Sequence, residues 1–249
     1  MVKNYLLWLI CALLPSFIWL LVFLRKDSHP ESNKMVLKVF FWGMLATLPA
    51  VFTELGASME LKKLINFPHL LILLINFFLV VAFTEELMKY LVVRKKALKH
   101  HELDEPVDIM FYMIIAGLGF AALENLLYLS FPEQFLPLEM ISKYGENAVL
   151  ILLGSIRFLS STFLHALTSA IFGYFLALGF LETKRRTLYT FFGFFLAIAL
   201  HGLYNLSIIM VENLFLKVLV IFAILIGMAI FVFWGFKRLK KLSSVCKIC

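Results

Sequence analysis

The chain has 249 residues, of which 62% are hydrophobic and only 16% are charged, whereas a soluble domain is typically about half apolar and about a quarter charged. Its formal net charge of +7 is spread over separate loops, which argues against a nucleic-acid partner, and three cysteines cannot form a disulfide framework. The composition therefore excludes a typical soluble enzyme and predicts an all-α, polytopic helical bundle that has the lipid bilayer as its partner.

Seven apolar stretches approach or exceed the length of about 20 residues that a membrane-spanning helix needs. They are predicted at residues 5–24, 35–56, 69–93, 107–130, 150–180, 188–210 and 213–236. The first is interpreted as a retained helix because its apolar core is long and no small-residue cleavage site follows it. No repeat or low-complexity linker divides the chain, so a single domain covering residues 1–249 is expected.

The basic residues indicate how the bundle is oriented. Sixteen lysines and arginines fall in or beside the first, third and fifth loops and the C-terminal tail, and five fall on the other side. The positive-inside rule then places the N-terminus outside and the C-terminus in the cytoplasm, which agrees with an odd number of spans in the cell membrane.

Two short segments contain residue types that bind metals. The loop H-H-E-L-D-E (residues 100–105) is interpreted as a solvated connector that precedes Pro106. The terminal C-K-I-C, with Cys246 and Cys249, formally resembles a prenylation box and a metal-binding pair. A lysine at its second position and the absence of further paired cysteines favour a solvated tail.

The third span ends in charged residues, within F-T-E-E-L-M-K at residues 83–89. Each charge near the centre of a bilayer costs about 2.5–3.5 kcal/mol on insertion scales. Glu85 and Lys89 are i,i+4 neighbours and are predicted to pair on one helix face. Glu86 points about 100° further round the helix. Two carboxylates against one lysine leave a surplus negative charge, which favours a functional site over a structural ion pair.

The fourth span contains G-L-G-F-A-A-L-E-N at residues 117–125. Gly117, Ala121 and Glu124 share one helix face, where small residues allow another helix to approach closely. Asn125 is placed to form a hydrogen bond across the helix interface.

The fifth and sixth spans each carry a polar stripe at i,i+4 spacing. The first stripe contains Arg157, Ser161, His165 and Ser169, and the second ends in His201 and Asn205. Since lipid offers no partner to these groups, the stripes are expected to face one another around an interior cavity. A carboxylate that activates water and His and Asn donors that stabilise an oxyanion suit hydrolysis.

Two other functions use the same residues. Intramembrane carboxylates and histidines also form proton relays, so a proton- or ion-coupled transporter is the main alternative. Against it, the sequence lacks an inverted repeat and paired helices interrupted by Gly or Pro. The third hypothesis is a scaffold protein without catalytic activity, in which the stripes only hold helices together.

Four motifs occur in a fixed order across successive spans. They are E-E-L-M-K at 85–89, F-A-A-L-E-N at 120–125, the pattern of Arg157, His165 and Gly173, and H-G-L-Y-N at 201–205. With these motifs the chain resembles the PrsW family of intramembrane proteases, which belongs with the CAAX-protease and bacteriocin-processing group. The resemblance covers roughly residues 80–210, with the core motifs expected within about 69–210.

The resemblance implies cleavage of peptide bonds in membrane-anchored proteins or peptides, such as anti-sigma factors. It implies that Glu85, beside Glu86, is the base and that His165 is its partner, with His201 and Asn205 as oxyanion donors. Lys89, Glu124, Asn125 and Arg157 are expected to support the site.

The resemblance also raises the question of a metal. No H-E-x-x-H motif is present, but Glu85, His165 and His201 suit a two-histidine, one-carboxylate zinc site. A metal-free mechanism based on the glutamate is preferred, and zinc is the alternative.

The predicted topology separates Glu85 and Glu124 in depth by about 10 Å or more, at 1.5 Å per helical residue. Two explanations are open. Either Glu124 is structural and lies near Arg157, or one of the helices is broken or tilted.

Overall fold

A computed structural model of the chain describes residues 4–26, 31–63, 67–134, 136 and 138–242. The tail with Cys246 and Cys249 lies outside these described residues. The described residues form helices and no strand, which confirms the all-α prediction.

The described residues contain ten α-helices. They are α1 (Tyr5–Leu24), α2 (Asn33–Leu61), α3 (His69–Leu74), α4 (Phe83–Lys96), α5 (Pro106–Ser130), α6 (Leu138–Tyr144), α7 (Glu146–Leu159), α8 (Ser161–Leu181), α9 (Arg186–Met210) and α10 (Leu214–Leu239). A π-helical segment, Ile75–Ala82, joins α3 to α4. Seven helical stretches within the described residues are long and apolar enough to cross a membrane, as the sequence predicts.

Helix α5 forms the centre of the bundle and is buried along nearly its whole length. It packs against α8, α2 and α1. A Cβ atom at Gly117 would lie 2.3 Å from the hydroxyl oxygen of Ser169, and one at Gly119 would lie 2.0 Å from the carbonyl oxygen of Phe40. Because glycine has no Cβ atom, α8 and α2 approach α5 closely at these positions, and Gly117 confirms the predicted small-residue contact.

Two irregularities interrupt the predicted spans. The fifth span is broken at Ser160, which separates α7 from α8 with backbone angles of φ −120° and ψ −85°. Arg157 and His165 therefore belong to different helices, so the prediction of one continuous polar stripe was wrong. In the third span the π-helical segment directly precedes Glu85 and Glu86. Such segments widen the helix and are frequent beside functional sites.

One contact bears on the predicted topology. The side-chain nitrogen of Lys240 donates a hydrogen bond to the backbone carbonyl of Lys26. The end of α10 and the first loop therefore lie at the same end of the bundle, as the alternation of basic residues requires.

The orientation gives a direct prediction. We expect a reporter fused after Lys241 to be cytoplasmic and a reporter inserted in the loop at residues 131–149 to be external, because the basic residues concentrate at the first end. Paired cytoplasmic and external activity reporters fused at each position measure this. An external signal from the Lys241 fusion would overturn the orientation.

Candidate active site

A cluster of charged and polar side chains lies inside the bundle, where four helices converge. Helix α4 contributes Glu85, Glu86 and Lys89, and α5, α8 and α9 contribute Glu124, His165 and His201. Glu86 and Lys89 have no exposed surface, and Glu85, His165 and His201 are nearly as buried. The structure thus brings together residues from all four motifs.

Glu86 is the most heavily bonded carboxylate of the cluster. Its Oε1 atom accepts hydrogen bonds from Lys89 Nζ at 2.8 Å, from His201 Nδ1 at 2.9 Å and from Thr168 Oγ1 at 3.0 Å. Because a carboxylate only accepts, His201 carries its proton on Nδ1 and presents the lone pair of Nε2. Glu86 therefore fixes the orientation and tautomer of His201.

His165 has both ring nitrogens engaged. Its Nδ1 atom lies 2.8 Å from Lys89 Nζ, and its Nε2 atom lies 2.9 Å from Glu124 Oε2. Since an ammonium group only donates, Nδ1 is the acceptor and Nε2 carries the proton that is donated to Glu124. His165 is held as a neutral imidazole between a cation and an anion.

Glu85 differs from its neighbour because it accepts no hydrogen bond from the described residues, whereas Glu86 accepts three at Oε1 and leaves only its Oε2 atom without a partner. The Oε2 atom of Glu85 is buried and has no hydrogen-bond partner among the described residues. This oxygen lies 3.5 Å from Lys89 Nζ, 3.6 Å from His165 Nδ1 and 3.8 Å from His201 Nε2. A buried carboxylate oxygen in this state is poised to bind a group that the chain does not provide.

The predicted pairing of Lys89 needs a correction. The ammonium group binds Glu86 at 2.8 Å and lies only at 3.5 Å from Glu85, so the i,i+4 prediction named the weaker partner. The physical reason is tertiary: His165 attracts the ammonium group from α8, while His201 and Thr168 hold the Glu86 carboxylate within its reach.

Glu124 joins this cluster to a second one. Its Oε2 atom accepts from Arg157 Nη2 at 2.6 Å as well as from His165. Arg157 Nε also donates to Asn125 Oδ1 at 2.5 Å, and the Asn125 amide donates to the Thr162 hydroxyl and the Ala12 carbonyl. Glu124 therefore lies near Arg157, as the first of the two explanations expected, and it also reaches His165.

An internal cavity of about 730 Å³ lies beside the cluster. Its polar lining includes Glu54, Glu85, Glu124, Arg157, His165, His201 and Asn205. Glu86 and Lys89 lie behind this lining. At the mouth the lining includes exposed apolar side chains, namely Leu55, Phe131, Ile156 and Ile209. The cavity therefore connects the ionisable groups with an apolar surface of the bundle.

Asn205 and Glu54 need separate mention. Asn205 lines the cavity and forms no hydrogen bond with the described residues, so its amide is available to a ligand. Glu54 was missed in the sequence analysis although it lies within the second predicted span. The signal was the one that identified Glu85, namely a carboxylate inside an apolar stretch.

The site also meets the basic requirements of a zinc ion. Glu85, His165 and His201 each offer a ligand atom, and these atoms lie within 4.8 Å of one another. Ligands bound at about 2.0–2.2 Å around a tetrahedral zinc lie roughly 3.3–3.6 Å apart. The free Oε2 atom of Glu85 supports this fit. Lys89 would have to release His165 Nδ1 before that nitrogen could bind a metal.

A second group of metal-ligand types lies in the loop after α4. His100, His101 and Glu102 also offer atoms within 4.8 Å of one another. Glu102 accepts a hydrogen bond from the backbone of Ser32 at 3.3 Å. Bonding to Ser32 lowers the pKa of the Glu102 carboxyl from its ordinary value. The carboxylate therefore already has a partner, in keeping with a connector.

The fold and the buried cluster define a multi-pass membrane protein with an ionisable site inside its helical bundle. A family model described as PrsW family intramembrane metalloprotease matches residues 31–234. The chain therefore belongs to the PrsW family, and it is a protease. This confirms the family resemblance that the four motifs indicated.

Several curated relatives carry the name Protease PrsW. The relative from Geobacillus kaustophilus is 30% identical over 183 residues, which cover 74% of this chain and 71% of the relative. The relative from Oceanobacillus iheyensis is 29% identical over 180 residues, covering 72% and 73%. The relative from Bacillus subtilis is 27% identical over 234 residues, covering 93% of each chain. No solved structure matches the chain.

Proposed function

We propose that the chain is an intramembrane endopeptidase in which Glu85 takes a proton from water while that water attacks a peptide carbonyl carbon. The observation that carries this proposal is the state of Glu85, which lines the cavity and whose buried Oε2 atom lacks a hydrogen-bond partner among the described residues. The other carboxylates of the cluster already accept strong hydrogen bonds. Glu86 also has an oxygen without a partner, but it does not line the cavity, so Glu85 is the carboxylate of the pair that is placed to act as the base.

The attacking water has a second contact in this proposal. His201 Nε2 presents its lone pair 3.8 Å from Glu85 Oε2, a separation at which both atoms can accept hydrogen bonds from one water molecule. As the water oxygen bonds to the carbonyl carbon, one proton passes to Glu85. Glu85 then gives this proton to the leaving amine when the C–N bond breaks.

The developing oxyanion needs donors. The Asn205 amide is free on the cavity wall and supplies one. His201 is not assigned as a donor, because its Nδ1–H is bound to Glu86 and its Nε2 atom accepts from the attacking water. Lys89, Thr168 and Glu86 then act as positioning residues.

His165 receives a different role from the one that the resemblance implies. Although its Nδ1 atom lies 3.6 Å from Glu85, that nitrogen accepts from Lys89, and Nε2 donates to Glu124. A ring with both nitrogens engaged is suited to positioning. We therefore assign His201 as the histidine that contacts water, and His165 as the link between Lys89 and the Glu124–Arg157 pair.

If zinc is the resident cofactor, Glu85, His165 and His201 hold it, and it supplies a Lewis acid that makes bound water more acidic. We prefer the mechanism without metal because Lys89 already places a cation 2.8 Å from His165 Nδ1 and 3.5 Å from Glu85 Oε2.

A metal analysis separates the two mechanisms. We expect activity to survive thorough chelation, and we expect elemental analysis of the purified chain to find no stoichiometric zinc. His165→Ala and His201→Ala would then lower activity without changing metal content. Stoichiometric zinc that disappears in both variants would sink the metal-free mechanism, since neutral imidazoles must hold the ion.

The apolar border of the cavity supports the substrate class that we propose. Exposed apolar residues border it, so a membrane-embedded segment can enter without leaving an apolar environment. We propose that the substrates are single-span membrane proteins of the cell membrane, anti-sigma factors among them, and that residues 1–249 form one protease domain.

The function is tested with purified chain in liposomes that also contain a single-span peptide. Peptide fragments identified by mass spectrometry support the endopeptidase. A proton flux across the liposome membrane without fragments would support the transporter instead, and neither signal would support the scaffold.

A further inference from the structure

Glu54 is an intramembrane carboxylate that the proposed mechanism does not use. It lies in α2, about 10 Å before the end of the helix at 1.5 Å per residue. A charge within a span is costly unless it is paired. Glu54 nevertheless forms no ion pair with the described residues, unlike Glu86 and Glu124.

The surroundings of Glu54 point towards the cavity. Its Oε1 atom is buried without a hydrogen-bond partner among the described residues, and the residue lines the same cavity as Glu85. The nearest hydroxyls of its own helix are engaged elsewhere. Thr53 Oγ1 donates to the Pro49 carbonyl at 2.8 Å, and Ser58 Oγ donates to Asn76 at 3.2 Å.

The cations near the cavity are already committed. Arg157 lines it but binds Glu124 and Asn125. Lys89 lies behind the lining and binds Glu86 and His165. The cavity lining therefore holds three carboxylates and one guanidinium, and of these carboxylates Glu54 is the one that forms no ion pair with the described residues.

We propose that Glu54 binds a lysine or arginine side chain of the substrate and thereby determines which membrane segments are cleaved. This inference rests on the proposed function, because it places the substrate in the cavity beside Glu85. A basic side chain fits for two reasons. Its charge complements Glu54, and its methylene stem can lie along apolar lining residues such as Val51 and Leu55.

A metal ion is a poorer occupant for Glu54. The cluster of candidate metal ligands contains Glu85, His165 and His201 but not Glu54. One carboxylate alone does not provide the several ligands that a bound metal requires. A long, flexible cation needs only one carboxylate, with which it forms a charge-assisted hydrogen bond.

The inference is tested by binding, so that cleavage is not required. The full chain carrying Glu85→Gln is placed in nanodiscs and titrated with fluorescent single-span peptides. The peptides come in pairs that differ at one position, which carries lysine in one peptide and norleucine in the other. From pair to pair, this position moves by one residue along the segment near one membrane interface. At one position or two we expect the lysine peptide to bind about tenfold tighter, as for a desolvated charge pair.

Substitutions of Glu54 then identify the partner. Adding Glu54→Gln should abolish the lysine preference, and adding Glu54→Lys should reverse it in favour of a peptide with glutamate at that position. Glu60→Gln is the matched control, because Glu60 lies on the same helix but is exposed and pairs with Lys63 at 2.6 Å. This control should keep the full preference.

The outcomes separate the inference from the proposed function. An unchanged lysine preference in both Glu54 variants, or no preference at any position, would overturn the role of Glu54. If the chain with Glu85 intact cleaves nothing but the Glu54-dependent preference is present, the endopeptidase proposal fails and the cation site stands. If the chain cleaves the peptide but shows no Glu54-dependent preference, the endopeptidase proposal stands and the cation site fails.

Discussion

Glu85→Gln is expected to abolish proteolysis while the protein still inserts and folds. Glutamine keeps the shape of glutamate but cannot take a proton from water, and a positioned general base contributes about 10²–10⁴ in rate. Folding should be preserved because Glu85 Oε2 makes no hydrogen bond that the substitution would break. The rate of fragment formation from a single-span peptide, compared with thermal unfolding of the same preparations, measures both effects.

The control for this substitution is Glu60→Gln, which removes a carboxylate from an exposed ion pair and should leave the rate unchanged. Near-normal cleavage by Glu85→Gln would remove Glu85 from the mechanism. Loss of cleavage together with loss of folding would contradict the claim that Glu85 makes no hydrogen bond on which folding depends.

Lys89→Met is expected to destabilise the protein strongly, by roughly 3–5 kcal/mol in the free energy of unfolding. Methionine keeps the length of the side chain but leaves Glu86 and Glu85 without their cation. It also removes the donor to His165 Nδ1, so the imidazole loses the bond that fixes its tautomer. Thermal or denaturant unfolding in detergent measures the loss.

Lys63→Met provides the comparison for Lys89→Met, since Lys63 is exposed and its pair with Glu60 should contribute little. Lys89→Arg is not expected to restore stability, because a bulky planar guanidinium replaces a compact ammonium that has no exposed surface. A Lys89→Met protein as stable as the parent would show that the buried charges are compensated in some other way.

Much of the fold could be predicted because the bilayer restricts the choice of structure. Only closed backbone hydrogen bonding is stable in lipid, so apolar stretches of sufficient length predict helices directly. The first span, 5–24, coincides with the helix Tyr5–Leu24. The second was predicted to end at residue 56, but the helix continues to Leu61. Hydropathy marks the apolar part of a helix and not its polar extension.

The break at Ser160 was not predictable from the pattern used. Spacing at i,i+4 assumes a continuous helix, and no proline or glycine marks the position where α7 ends. The break places Arg157 on α7, separate from the α8 helix that carries His165, and there Arg157 bonds to Glu124 and Asn125. Such a break depends on tertiary contacts, which local sequence does not specify.

The membership of the site was predicted better than its bonding. Charged and polar residues inside spans are costly, so Glu85, Glu86, His165 and His201 stood out in the sequence, together with the stripe spacing and the family resemblance. The choice of partners was harder. Whether Lys89 binds Glu85 or Glu86 depends on His201 and Thr168, which come from other helices. Glu54 was missed because no second charged residue lies within one helical turn of it, whereas Glu85 has Glu86 and Lys89 nearby.

The central claim is that the buried cluster uses Glu85 to split a peptide bond with water. The most direct test is a single turnover of purified chain with a single-span peptide in liposomes prepared in ¹⁸O-labelled water, followed by mass spectrometry of the products. We predict two fragments, with one ¹⁸O atom in the new carboxyl terminus, and no fragments with Glu85→Gln. Intact peptide with the parent chain, or equally fast labelled cleavage in both proteins, would contradict the account.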